Sequence, residues 1–457
     1  MTSHLSWDRE RALDHARELV SQTWRNFDSA REYQPTVSPE LLDLLNAPLP
    51  NEPCDAVQAL DEAAEALDTT TSQARPRYFG YIGSSGLEVG ALADLLVGSH
   101  DANLAIDAGA ATLVEAQALR WVAEFIGYPA QGGSFTSGGT VSNITALTAA
   151  RERAFPGSRQ HGVVPGSATA YCSADAHYSI CRAIEVLGIG SQWLRPIPVD
   201  VNRRMNPIAL SHAIDDDIAQ GRTPMVVVAT SGTTLTGAID PIDAIADVCD
   251  VHGVWLHIDG AYGLPAAAVM PDAFTGLARA DSVSVDAHKW MFVPKACGVV
   301  MVREPQALSK AFGHATSYIP GATLNAVDVT LEYSRPLRAL KMWLAFRVHG
   351  AAEMRAALQR NIDQARLLHD LATQRPGWQV ALHPALSIVL IRHEGVNNAA
   401  LVEAIQQDGR VYVSHAQLDG QTWLRPCFTN PRTTSADVQA LIDVADEIVH
   451  YRENSAL

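Results

Sequence analysis

Residues 281–291 read DSVSVDAHKWM, and their reading decides the fold. Val283 and Val285 alternate with Ser282 and Ser284, which is the period of a strand. Asp286, His288 and Lys289 stand at its end, and a second apolar run, Gly298–Val302, follows. Lysine is rarely buried unless it is paired or chemically used. A lysine held between two core strands is therefore either a snorkelling edge residue or a reactive amine.

Working outward, residues 77–345 alternate short apolar strands with helices, the pattern of a doubly wound α/β domain. Strands are predicted over 134–136, 168–173, 192–198, 225–230, 255–259, 282–286 and 299–302, with helices over 143–154, 179–187 and 242–252. Residues 1–76 read as a helical arm, with Ser38 and Pro39 as cap and first position of a helix over 40–45. That arm buries little by itself, so it is expected to pack on a second subunit. Residues 346–457 read as a smaller α+β domain: a helix over 354–373, a strand pair over 379–383 and 388–393, then 397–408, 411–414, 422–428 and 435–451.

The 457 residues are enough for two or three domains of roughly 100–200 residues each. A net charge of −16 argues against a nucleic-acid partner. No apolar run approaches the roughly 18 residues of a membrane span, and the polar start is unlike a secretory leader. Cys54, Cys172, Cys181, Cys249, Cys297 and Cys427 show no metal-ligand spacing. A cytoplasmic protein with reduced thiols and no metal is expected.

Four strand ends carry polar residues. In FTSGGTVSNITAL (135–147), Gly138 and Gly139 let the backbone approach a ligand, and Thr140 and Ser142 sit where a helix begins, an arrangement that suits a phosphate or serves as a plain turn. His177, in ADAHYSI, could cap, fill core or stack on a flat ring. Thr230 opens a hydroxyl-rich turn that runs to Asp240 and Pro241, read as the start of the next helix. Asp259, in WLHIDGAYG, needs a cation or a donor at a buried strand end, and Ala261 leaves room beside it. Together these match what pyridoxal phosphate requires: an amine, a carboxylate for the ring nitrogen, a phosphate cup and groups to sandwich the ring. One helix and one strand are expected between Asp259 and Lys289, placing them on neighbouring strands.

The succession TSGGTVSN, DAHYS, ATSGTTLTGAID, HIDGAYG, DAHKW and YSRPLRALKMW resembles the group II pyridoxal-phosphate decarboxylases, among them aromatic-L-amino-acid and glutamate decarboxylases. The resemblance runs from about residue 77 to 435. It implies the aspartate-aminotransferase-like α/β fold, type I, as a homodimer with active sites at the interface. Its domains would be the arm over 1–76, a cofactor domain over 77–345 and a small domain over 346–457. It also implies roles. Lys289 would be the Schiff-base lysine, Asp259 the pyridinium partner, His177 the stacking histidine and Ala261 the packing on the other ring face. Gly139, Thr140, Asp286 and His288 would lie on the phosphate side, with the Thr230 hydroxyl near the ring. Tyr81, Ile82, Gly83 and Ser84 would line the substrate pocket, with Ser334 and Arg335 beside it.

The implied activity is decarboxylation of a small L-amino acid to an amine. Gly83 and Ser84 suit an aromatic side chain, whereas Asp107 either solvates a helix start or faces a substrate with a distal amine. One departure stands out: no tyrosine stands where the loop tyrosine of the aromatic decarboxylases would align, near Ala326. Either Tyr318, Tyr333, His177 or a partner residue then donates the proton, or an oxygen-consuming aldehyde synthesis replaces amine formation. Transamination and retro-aldol cleavage use the same lysine and aspartate, but the DAHKW and SRPLRALKMW segments argue against them.

Overall fold

Strands rich in valine and alanine build the central sheet: β1 (Gly132–Thr136), β2 (Ala168–Ser173), β3 (Leu194–Ile197), β4 (Thr223–Thr230), β5 (Trp255–Asp259), β6 (Ser282–Asp286) and β7 (Gly298–Val302). The computed structural model describes residues 7–30, 35–71, 73–83, 85–314 and 325–455. The strand order is β1-β7-β6-β5-β4-β2-β3. From β6 to β3 the strands run parallel, and β7 is antiparallel to both β6 and β1. β1 therefore runs with β6, and the carboxyl ends of β1, β2, β4, β5 and β6 share one edge. That edge is where open α/β sheets hold ligands.

Both faces of the sheet are covered, and they differ in chemistry. On one face Leu256, Ile258, Val283 and Val285 join a core with Val122 and Ile126 of the helix Ala110–Ile126. Each buried aliphatic side chain contributes about 1.5–3 kcal/mol there. On the other face Val226, Val228 and Trp255 pack with Ile144 and Leu147 of the helix Gly139–Ala154. Towards the strand ends that second face turns polar, with His257, Asp259, Ser282, Ser284 and Asp286 all buried. A parallel sheet covered on both sides is ordinarily apolar throughout. The register sets His257 beside Ser282 and Asp259 beside Ser284, so the polar residues meet one another instead of hydrocarbon.

Three local expectations need correcting. Between β5 and β6 there is no α-helix but a run of 3-10 turns, Leu264–Ala268, Pro271–Phe274 and Leu277–Arg279. Pro265 and Pro271 open two of them and remove the amide protons a longer helix would use. The helix after β1 starts at Gly139, before residue 143, with Gly138 as its extended N-cap and Gly139, Thr140, Val141 and Ser142 as its first turn. The strand foreseen over 411–414 is a single bridge from Tyr412 to Tyr78, and the ladder forms later.

That ladder is β8 (Trp378–Val380), β9 (Ile391–His393), β10 (His415–Leu418) and β11 (Gln421–Leu424), all antiparallel in the order β10-β11-β9-β8. The helix Ala339–Thr373 precedes it and bends at Gly350, whose φ of 75° and ψ of 156° are not helical. In the arm, helices Arg9–Phe27, Pro39–Leu45 and Ala56–Asp68 form, and the Ser38 hydroxyl accepts from Leu41 N at 3.0 Å as its position predicts. Among the described residues no helix is long and apolar enough to cross a membrane.

Residues just ahead of the large sheet are stitched into this small domain. Phe79 N donates to Tyr412 O (2.7 Å) and Cys427 N donates to Phe79 O (2.9 Å). Tyr78 and Tyr412 stack with centroids 4.8 Å apart, and Arg77 pairs with Asp437 at 2.9 Å.

Candidate active site

The shared strand edge opens into a cavity of about 310 Å³. Gly139, Thr140, His177, Thr230, Asp259, Ala261, Asp286, His288 and Lys289 all line it. Ser137, Gly138, Val141, Asn143, Ser179, Gly232, Thr234 and Tyr262 complete the wall.

Lys289 reaches the cavity because β6 ends at Asp286 and the next residues, Ala287–Trp290, coil into a single helical turn. Its Nζ lies 3.0 Å from Asp286 Oδ2. Burial works against the ammonium, but the Asp286 carboxylate in contact and the charge of Asp259 outweigh it and raise the amine above its ordinary value. The other oxygen, Asp286 Oδ1, is buried without a hydrogen-bond partner. His288 is tied to the backbone of Cys297, where Nδ1 is 3.0 Å from Cys297 O and 3.1 Å from Cys297 N. Burial lowers its pKa against the pull of Asp286.

Asp259, 5% exposed, accepts from Asn143 Nδ2 (3.0 Å), Ala261 N (3.1 Å) and Ser284 Oγ (3.4 Å). His177 stands across the cavity wall. Ser179 N donates to its Nδ1 at 3.3 Å, with Ser179 Oγ 2.9 Å from the same nitrogen, and burial holds the ring below its usual pKa. An N–H can only donate, so the neutral ring carries its proton on Nε2.

Thr230 closes the wall beside β5, and its hydroxyl is buried with no partner. Its backbone N–H donates to Asp240 Oδ2 at 2.7 Å, while Met205 N donates to Asp240 Oδ1 at 2.7 Å. Asp240 therefore braces the strand end; the following helix begins at Ile242 without a side-chain cap. Burial pushes the Asp240 carboxyl up to about 6.

At the start of the helix Gly139–Ala154 no side chain caps the free N–H groups. A Cβ on Gly139 would come 2.8 Å from Asp286 Oδ2 and 3.1 Å from Ala261 Cβ, so only glycine leaves that space open. Free amides at a helix start facing a cavity favour an anion.

Tyr81, Ile82, Gly83 and Ser334 are not part of this cavity wall. Tyr81 is exposed at the small domain, where its N–H donates to Ser414 Oγ at 3.3 Å. Ile82 packs against the main core, and Gly83 lies against Gln73. Ser334 Oγ accepts from Asn103 Nδ2 at 3.3 Å. Ser84 and Tyr318 lie outside the described residues. Arg335 is buried in a bidentate pair with Glu115 at 2.6 and 2.7 Å, a structural brace away from the cavity. Asp107 accepts from Gly109 N at 2.9 Å and so serves the helix start. Ala326 opens the 3-10 turn Ala326–Val329, with no phenol at that position.

Sequence reasoning gave no site role to Asn143, Ser179 and Tyr262, which line the cavity, as does Thr234 of the hydroxyl-rich turn. Asn143 and Ser179 had a visible signal, being polar residues in the first turns of helices that follow strands β1 and β2. Tyr262 did not: its hydroxyl is held by Ser387, 125 residues away, at 2.5 Å.

An uncapped helix start, a lysine and an aspartate at neighbouring strand ends of a doubly wound sheet are the parts of a pyridoxal-phosphate enzyme of fold type I. The family model described as Pyridoxal-dependent decarboxylase conserved domain matches residues 39–393, and the chain belongs to that family. It is 33% identical to aromatic-L-amino-acid decarboxylase of Bacillus atrophaeus over 384 residues, 79% of each chain. It is 32% identical to L-2,4-diaminobutyrate decarboxylase of Rhizobium meliloti (strain 1021) over 358 residues, 75% of this chain and 71% of that one. The solved structure of Oryza sativa TDC with PLP and tryptamine superposes with a TM-score of 0.90 over 98% of this chain and 99% of that one. At 24% identity that likeness shows the fold. The cavity fits the family's cofactor: the orphaned Thr230 hydroxyl, the open glycine cradle and the free amides each lack the partner it would bring.

Proposed function

We propose that the protein removes the carboxylate of an aromatic L-amino acid, giving the amine and CO2, and works as a homodimer. The observation that carries this is the meeting of Lys289 and Asp259 in one cavity, at the ends of adjacent strands β6 and β5. Bound there, pyridoxal phosphate supplies the electron sink that takes the pair left as CO2 departs. Lys289 is the amine that holds its aldehyde, and Asp286 orients that amine. Asp259 keeps a proton on the ring nitrogen, supported by three donors to its carboxylate. His177 and the Ala261 methyl flank the ring. Gly139, Thr140 and His288 hold the phosphate at the helix start, and Thr230 offers its free hydroxyl.

The residues also control water and protons. A poorly solvated carboxylate departs more readily, and the walls of this cavity at Asp259, Asp286 and Thr230 are themselves buried. The balanced reaction consumes one proton for each CO2 released; the neutral His177 can pass a proton on only after first taking one up, and the Lys289 ammonium is the acid that stands beside it in the cavity.

An aromatic substrate is supported by the likeness to the Bacillus atrophaeus enzyme. Tyr81, Ile82, Gly83 and Ser334, which stand away from this cavity wall, would meet the substrate across the subunit interface. The exposed Leu42, Leu45, Leu92 and Leu95 of the first helices support the dimer. Ala326 favours one second reading, in which O2 and water are consumed and aldehyde, CO2, ammonia and H2O2 leave in equal amounts.

A panel of amino acids, scored for CO2 and for amine by mass spectrometry, decides between them. Equimolar amine and CO2 from aromatic members is the expected result. Stoichiometric aldehyde, ammonia and peroxide would replace the first reading with the second, and turnover confined to diamino or acidic members would remove the aromatic assignment.

A further inference from the structure

β5 carries Trp255, His257 and Asp259 on one face, and the helix Gly139–Ala154 lays Asn143 across them. Asn143 Nδ2 is 3.0 Å from Asp259 Oδ2 and 3.2 Å from Ser179 Oγ. Asn143 Oδ1 is 3.0 Å from His257 Nε2, and His257 Nδ1 is 2.9 Å from Ser282 Oγ. Trp255 Nε1 donates to that same Ser282 oxygen at 2.8 Å. Asn143, His257 and Ser282 are buried to within 1%.

The donors and acceptors can be arranged in only one way. A carboxylate accepts and never donates, so the amide nitrogen of Asn143 must face Asp259. Its oxygen then faces His257, whose Nε2 must carry the proton. His257 Nδ1 is left as an acceptor for the Ser282 hydroxyl, whose own acceptor position is taken by the indole of Trp255. Burial keeps His257 neutral, with its pKa held down at about 4. At the other branch Ser179 takes the second Asn143 proton and directs its hydroxyl to His177 Nδ1.

We infer that Asn143, oriented by the neutral His257 behind it, is a positioning residue that sets Asp259 and His177 together, one for the ring nitrogen and one for the ring face. His257 does not line the cavity and acts through Asn143, which in turn acts through the carboxylate and through Ser179. Without the His257 N–H the Asn143 amide is free to turn, and its oxygen then opposes Asp259. The inference rests on the assignment of Asp259 to the ring nitrogen made above.

The test uses the holoenzyme and four variants: His257→Leu, which removes the donor at similar volume; His257→Gln, which retains a donor; Asn143→Leu; and Asp259→Asn as reference. Two readouts besides turnover are followed, the pyridoxal-phosphate dissociation constant and the pH titration of the visible band of the bound cofactor. Nitrogen-15 spectra of the parent's histidines report the His257 tautomer without any substitution. Expected are Nε2–H on neutral His257, about tenfold or weaker cofactor affinity with a shifted titration in His257→Leu and Asn143→Leu, and recovery in His257→Gln. An Nδ1–H tautomer overturns the inference, whether or not the leucine variants fold. So does a parent-like titration in folded His257→Leu while Asp259→Asn is shifted. If Asp259→Asn also titrates like the parent, the ring-nitrogen assignment falls and takes the inference with it.

Discussion

Asp217 and Asp286 are equally buried, 2% exposed each, and serve the same sheet, yet they are held in opposite ways. Asp217, on the helix Pro207–Ala219 against β2 and β3, accepts from Tyr171 OH (2.8 Å), Arg195 Nε (3.1 Å), Arg195 Nη2 (2.9 Å) and Arg222 Nε (2.7 Å). Burial opposes its charge, but these donors outweigh burial and hold the carboxyl below the usual range. Asp286 has the Lys289 amine on one oxygen, His288 Nε2 at 3.8 Å and nothing on the other oxygen. A saturated buried carboxylate is scaffolding, because nothing further can bind it. A half-satisfied one is tolerated only where the unmet valence has a use.

The sharpest way to break that division is to remove the amine that Asp286 faces. Lys289→Ala should lose the visible band of lysine-bound cofactor and lower decarboxylation on the order of 10⁴-fold or more. The melting temperature of the apo protein should stay within a few degrees of the parent's. A variant that retains the band, or that unfolds, would move Lys289 into the scaffold.

Asp217→Ala tests the other side. It leaves Arg195 and Arg222 without their shared partner, and truncating one member of a buried pair costs about 3–5 kcal/mol. Urea titration should show that loss, while kcat/KM of the folded fraction stays within about twofold. A stable but inactive Asp217→Ala protein would erase the distinction.

The smallest effect is with pH. His257, His177 and His288 all have pKa values lowered from 6.5 by burial, His257 to about 4. Between those limits these histidines bind more protons in the unfolded chain than in the folded one, so they lower stability as pH drops below 6.5, partly offset by Asp240, whose raised carboxyl favours the fold as it protonates. For His257 alone the loss is about 1 kcal/mol near pH 5.5. A melting temperature followed from pH 7.5 to 5 should decline, and a flat profile would mean that these rings titrate in the folded state as they do in the unfolded chain.

The strands, the capped arm helices and the convergence of Lys289, Asp259 and His177 on one cavity were legible because period, cap chemistry and strand-end position are local properties. The 3-10 run after β5 was not, since Pro265 and Pro271 act against helical spacing that otherwise reads well. His257 was hidden in WLHID as a strand residue; its role exists only because Asn143, 114 residues earlier, lies over it. Asp286 lies both against Gly139 at the helix start and 3.0 Å from Lys289, and the second neighbour is a matter of side-chain direction that the motif does not display.

The stitching of residues 77–79 into the small domain sets a timetable for the chain. Arg77 and its partner Asp437 are 360 residues apart, and Thr433 Oγ1 donates to Pro76 O across 357. A ribosome finishes the large sheet long before it delivers these partners, so the segment ahead of the sheet waits, unpaired, until nearly the whole chain is made. Premature termination anywhere before residue 433 would remove both partners and leave residues 76 and 77 without these contacts.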